Sequence, residues 1–151
     1  MDQRRSTKSL KQVILDASIL VKIVLPENSE GNITQVLKLF NLFISKKIKI
    51  ILPIFWQFEV GNTLLRKMSE ELFIEKFSFL LSQSFEEYRF NTLENLTIGK
   101  FAKRHQVSFY DASYHLLAHF TNSIFITADK KYYQKFKGDE RIAPLENLKL
   151  S

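Results

Sequence analysis

Three short apolar runs constrain this chain most: Val13-Ile14-Leu15, Ile50-Ile51-Leu52 and Ile124-Phe125-Ile126-Thr127-Ala128. Each is continuous rather than alternating, as expected of strands buried on both faces of a parallel sheet. Between them lie longer stretches with helical periodicity, and strands that alternate with helices argue for an α/β fold with a central parallel sheet flanked by helices. The pattern predicts a strand over 13–17, a helix over 18–25 stopped by Pro26, a polar loop over 27–31 and a helix over 32–45. A strand over 50–52 ends at Pro53 and leads into a helix over 54–68. The next helix, with Ser69 before Glu70-Glu71 as its capped start, runs to about Ser82. A weak strand over 88–90 precedes a helix that Asn91-Thr92 can cap, ending near His105. Further helices follow over 109–121 and 130–136, with a strand over 123–128 between them and a turn over 137–139. The last strand, 142–145, contains Pro144 and so belongs at a sheet edge.

At 151 residues the chain reads as one domain over 13–151, preceded by a basic lead-in over 1–12 that carries Arg4, Arg5, Lys8 and Lys11. The 14 phenylalanines fall mostly on helical or strand spacing and are expected in the core. The apolar faces Ile33-Val36-Phe40 and Phe73-Phe77-Leu80 offer a dimer or partner surface, but internal packing is the preferred reading. No cysteine is present, which excludes disulfides, thiolate metal sites and a cysteine nucleophile. No apolar run approaches a membrane span, and the N-terminus lacks the apolar centre of a signal peptide, so a cytoplasmic protein is expected. The net charge of +6 suits a polyanionic partner such as nucleic acid, although charge by itself is a weak signal.

The acids are more specific. Of five aspartates, three stand at element junctions: Asp16 after the first strand, Asp111 at the start of a helical stretch, Asp129 after the strand over 123–128. Glu59 lies within an apolar helix, beside Phe58 and Val60, with Asn62 three residues on. Any one of the aspartates can be explained as a helix N-cap. Together, at the carboxyl ends of buried strands, they fall where open α/β folds build their sites. Carboxylates gathered there repel one another: at ~4 Å a like-charged pair costs about 4 kcal/mol at an effective dielectric of 20. A hard divalent cation such as Mg²⁺ or Mn²⁺ relieves that repulsion.

Four segments taken in order sharpen the reading: Val13-Ile14-Leu15-Asp16-Ala17-Ser18 with Lys22; Phe58-Glu59-Val60-Gly61-Asn62-Thr63-Leu64; Tyr110-Asp111-Ala112-Ser113-Tyr114; and Ile126-Thr127-Ala128-Asp129-Lys130-Lys131. This series resembles the successive motifs of PIN-domain ribonucleases, most of all the VapC toxins of toxin–antitoxin pairs. The resemblance implies an α/β/α fold whose acids converge at one end of the sheet. It implies that Asp16, Glu59, Asp111 and Asp129 bind one or two Mg²⁺ or Mn²⁺ ions, with Ser18, Asn62 and Thr127 in support. It implies a metal-dependent endoribonuclease that hydrolyses RNA with an activated water, dimerises, and is held inactive by an antitoxin protein. Lys22, Arg66 and Lys130, near these motifs in sequence, are candidate RNA contacts. Gly61 stands where alanine is frequent in the family. Two alternatives stand beside this one: a catalytically silent nucleic-acid-binding module with the same fold, and another acidic α/β enzyme such as a phosphatase. Many Mg²⁺-dependent phosphatases carry Asp-x-Asp after the first strand, whereas here the run is Asp16-Ala17-Ser18.

His115 and His119 are four residues apart, a spacing that can bind zinc on one helix face. No third ligand stands beside them in sequence, so a structural role is expected.

Overall fold

A computed structural model describes residues 11–26, 32–146 and 148–149. The predicted polar loop over 27–31 and most of the basic lead-in lie outside these residues. Five strands, β1 (Gln12–Leu15), β2 (Lys49–Pro53), β3 (Glu86–Tyr88), β4 (Ile124–Thr127) and β5 (Ile142–Pro144), form one sheet in the order β3-β2-β1-β4-β5. Every pairing is parallel. Seven helices flank the sheet among the described residues: α1 (Ala17–Val24), α2 (Ile33–Ile44), α3 (Trp56–Lys67), α4 (Glu70–Leu81), α5 (Thr92–His105), α6 (Phe109–Thr121) and α7 (Lys130–Phe136).

The strand order explains where a site can form. The chain builds outward from β1 through β2 to β3, then returns to place β4 on the other side of β1 and β5 beyond it. The connections leaving β1 and β4 therefore depart in opposite directions, which opens a crevice at their carboxyl ends. The register sets Leu15 opposite Ile126, so the next residues, Asp16 and Thr127, emerge side by side at that crevice.

Continuous burial of β1 and β4 matches their apolar runs: Val13, Ile14, Leu15 and Ile124 through Thr127 are all buried. Helix α6 lies against β1, β2 and β4, while α5 packs on α6. Residues Ala112 to Ala118 of α6 are buried, including two polar ones, Ser113 and His115. On the other flank, α1 gathers α2, α3 and α4. Gly61 lets α3 approach α4 closely: an added Cβ would come within 3.2 Å of the half-buried Phe77 ring, which would have to shift slightly. Val36, Phe40 and Leu80 are buried, and Ile33, Phe73 and Phe77 half-buried, so the two apolar faces named above pack internally.

Local signals set most boundaries. Ser69 caps α4 by accepting from the Leu72 N–H, as its position predicts. Asn91 and Glu94 complete a reciprocal capping box at the start of α5. The third strand lies two residues earlier than expected, at Glu86–Tyr88, because pairing with Ile51 to Pro53 outweighs a weak local pattern. Pro53 is the last residue of β2 rather than the residue beyond it, and Pro144 ends β5, which lies at the sheet edge as expected, one residue before the predicted end. Asn91→Ala should lower stability by about 1 kcal/mol, and truncation of fully buried Leu20 to alanine by about 2–5 kcal/mol. Chemical denaturation of the two variants checks this ordering.

Candidate active site

Asp16 is the N-cap of α1 and also the bridge between two strands. Its Oδ1 accepts from the Ser18 hydroxyl at 2.6 Å and from the Ile19 N–H at 3.0 Å. Its Oδ2 accepts from the Thr127 hydroxyl at 2.8 Å and the Ala128 N–H at 3.3 Å. Four donors take up the roughly four lone-pair directions of a carboxylate, which fixes its orientation. A cation that reaches Asp16 must share or displace one of them. Ser18, exposed at the rim, is the donor freest to turn.

Asp129 repeats the device from the neighbouring strand: it caps α7 by accepting from the Tyr132 N–H at 3.0 Å, and its own N–H donates to the Thr127 hydroxyl. The capping explanation thus holds for both residues without removing them from the crevice. Asp111 is different. Ser108 caps α6, accepting from the Asp111 N–H at 3.0 Å, so Asp111 sits in the first turn and its carboxylate is not the cap.

Glu59 projects from the first turn of α3. Its Oε1 is buried with no hydrogen-bond partner among the described residues, and the hydroxyl of Tyr114 is buried and unpaired as well. Desolvation raises the pKa of Glu59 above the ordinary carboxylate range. Proximity of the Tyr114 hydroxyl opposes that rise without a bond of ordinary geometry, and negative charge on Asp111 and Asp16 adds to it. Asp111 is raised by the same causes: burial first, then the charges of Asp16 and Asp129, with the Ser108 hydroxyl opposing. Tyr114 is pushed up by burial and by these surrounding acids, so it stays a neutral phenol.

All four acids line one cleft of about 530 Å³, together with Ser18, Lys22, Thr63, Lys67 and Tyr114. They surround it rather than meet at a point. Among the described residues, the groups of three or more potential ligand atoms within 4.8 Å of one another do not include these four acids. The other sequence candidates divide. Ser18 and Thr127 touch Asp16 directly, and Lys22 lines the cleft. Asn62 and Arg66 are exposed and do not line it. Lys130 lies beside a separate, smaller hollow and pairs with Glu146 at 3.3 Å. Thr63, Lys67 and Tyr114 are cleft residues not singled out as site residues from the sequence. Helical spacing carried the signal: Thr63 and Lys67 follow Glu59 at steps of four, and Tyr114 follows Asp111 at three.

The family model of the PIN domain matches residues 13–137, which include every acid of the cleft. The chain belongs to the PIN-domain family. Solved structures carry the same fold. PAE2754 of Pyrobaculum aerophilum is 20% identical with a TM-score of 0.64, over 91% of this chain and 92% of that one. VapC20 of Mycobacterium tuberculosis, a toxin that cleaves the sarcin-ricin loop, is 14% identical with a TM-score of 0.61, over 82% and 95%. VapBC2 of Rickettsia felis, bound to a DNA fragment from its promoter, is 14% identical with a TM-score of 0.63, over 88% and 96%. A sequence comparison with curated proteins finds no match.

This PIN domain therefore carries two carboxyl groups that hold protons more tightly when folded than when unfolded. The folded state binds the extra proton between the ordinary carboxylate range and the raised values, so stability falls as pH rises through that window. In chelator at pH 7, Glu59→Gln and Asp111→Asn should melt above the wild type. The difference should shrink as pH falls toward about 4 and be lost below about pH 3, where the acids are protonated in both states. Thermal denaturation across a pH series measures it.

Proposed function

We propose that this PIN domain is an Mg²⁺- or Mn²⁺-dependent endoribonuclease and the toxin of a toxin–antitoxin pair. The observation that carries the reading is the convergence of Asp16, Glu59, Asp111 and Asp129 on one cleft at the β1–β4 crevice. The donor set is oxygen only, which suits a hard cation. The buried, unpartnered Glu59 Oε1 and the raised carboxyls of Glu59 and Asp111 mark a place where positive charge is missing. The spread of the acids around the cleft also fits Mg²⁺, which commonly retains several waters.

Glu59 and Asp111 are the residues best able to hold the ion, with Asp16 and Asp129 on the opposing strand ends. When bound, such an ion acidifies an attacking water and neutralises charge on the phosphoryl oxygens. The side chains have a different task. Asp16, fixed by donors from α1 and β4, keeps the negative wall of the cleft in place. Lys22 and Lys67, on facing helices α1 and α3, offer positive charge to the phosphates of a strand laid across the acids. Tyr114 closes the floor as a neutral group and excludes water from behind Glu59. No side chain need act as a nucleophile.

Structured RNA loops are the expected targets in this reading, with support from the likeness to VapC20. An antitoxin partner is part of the same reading, supported by the likeness to VapBC2, and a homodimer belongs to it through the family resemblance. Exposed apolar residues on α3 and α4, Phe58, Leu65, Leu72 and Ile74, give such partners a surface. The cytoplasm is the corresponding site of action.

Purified protein incubated with ribosomal and transfer RNA should cut at discrete positions in Mg²⁺ or Mn²⁺ and not in EDTA. Asp111→Asn should lose about 100-fold or more of the rate with the fold intact, and Asp16→Asn as much together with some stability, because its amide NH2 replaces one acceptor oxygen of the bridge. Full cleavage by either variant would overturn the assignment. Replacing Lys22 and Lys67 with alanine should weaken RNA binding and make it less sensitive to salt, by about one counterion for each lysine that pairs with a phosphate.

A further inference from the structure

All three histidines of the chain gather around the middle and last turns of α6. His115 and His119 stand one turn apart on that helix, with ring centroids 5.7 Å apart. His105, at the end of α5, meets the same aromatic group through Phe101 and Phe136. The sequence shows no third ligand beside the pair, but the fold supplies one. Asp139, in the turn after α7, accepts His115 Nε2 and His119 Nε2 at 2.7 Å each, both on Oδ2. These three atoms lie within 4.8 Å of one another, unlike those of the four acids in the cleft.

We propose that His115 Nε2, His119 Nε2 and Asp139 Oδ2 form a second metal site, for a zinc-class cation, that clasps helix α6 to the turn after α7. Two imidazoles and a carboxylate are a zinc donor set, whereas Mg²⁺ prefers oxygen alone. A tetrahedral ion with bonds of about 2.0–2.2 Å holds its ligand atoms roughly 3.3 Å apart. The observed 2.7 Å separations thus need to open by only about 0.6 Å each.

The surroundings are arranged as metal-bound histidines require. His115 Nδ1 lies 2.8 Å from the buried Tyr132 hydroxyl. In this geometry Nε2–H donates to Asp139 and Nδ1 accepts from the Tyr132 hydroxyl; on metal binding the ring proton would sit on Nδ1 and donate to the Tyr132 oxygen, freeing the Nε2 lone pair for the ion. Phe101, Phe125 and Phe136 pack around the His115 ring and lock its plane. Burial lowers the pKa of His115, favouring the neutral ring that a metal needs. Asp139 remains a carboxylate: burial disfavours the charge, but the Arg141 N–H and the two histidines outweigh it and hold its pKa down. The His119 side chain, 42% exposed, leaves a path for the ion and a side open to water or a fourth ligand.

The clasp also has a mechanical meaning. Helix α6 begins beside Asp111 and carries both histidines, while α7 begins at Asp129 and leads through Tyr132 to Asp139. An ion at the second site would tie together the two helices whose first turns present Asp111 and Asp129 to the cleft.

Zn²⁺ titration of the apoprotein by calorimetry, in excess Mg²⁺, tests the proposal, with Co²⁺ absorption as a second probe. Wild type and Asp111→Asn should each bind one Zn²⁺ and melt at a higher temperature with it. Co²⁺ should give an intense visible spectrum indicating low coordination with nitrogen ligands. His119→Gln should lose the binding, the spectrum and the shift in melting. If His119→Gln fails to fold, Tyr132→Phe serves instead, with an expected 10–100-fold loss of affinity. Absence of Zn²⁺ binding, binding lost in Asp111→Asn but kept in His119→Gln, or unchanged affinity in Tyr132→Phe overturns it.

Discussion

Asp16 joins the two halves of this fold. β1 is the central strand, and β4 comes to it only after β2, β3 and the helices from α1 to α6 have intervened in the chain. Register alone brings Leu15 to Ile126. The carboxylate that follows then takes hydrogen bonds from α1 and from the end of β4 at once. These N–H and O–H donors hold the carboxylate in one orientation at the crevice.

The other acids are less well provided for. Glu59 and Asp111 are drawn into the cleft by helices whose apolar faces are buried, and among the described residues no basic side chain lowers the proton affinity of either. Their proton affinity rises as a consequence. Such strain persists only because core packing over-determines the positions of α3 and α6. The positive charge that would relieve it is held at the rim, on Lys22 and Lys67, where it is available to a polyanion.

The two ends of α6 show how one helix can serve two chemistries. Its first turn presents an oxygen donor to the cleft, and its later turns present nitrogen donors to Asp139. Tyr132 lies between them, its hydroxyl pushed toward neutrality by burial and by Asp111, Asp139 and Asp129. A neutral hydroxyl there can donate to or accept from His115, so it tolerates either tautomer.

Local pattern in the chain already settles the alternation of strands and helices, the parallel sheet and the caps at Ser69 and Asn91. Each follows from local periodicity or from side-chain competition for backbone donors. It also singled out the four acids, because a charge directly after a buried strand or inside an apolar helix is unusual enough to notice. Which neighbours face the cleft is fixed by packing between elements. Thr63, Lys67 and Tyr114 line it while Asn62 and Arg66 do not, since the rotation of α3 is set by burial of Trp56, Val60 and Leu64 against the rest of the core. Tertiary packing, too, brought Asp139 to His115 and His119. Their separation of twenty residues or more carries no periodic signal, and the turn after α7 returns to α6 because β5 must pair beside β4.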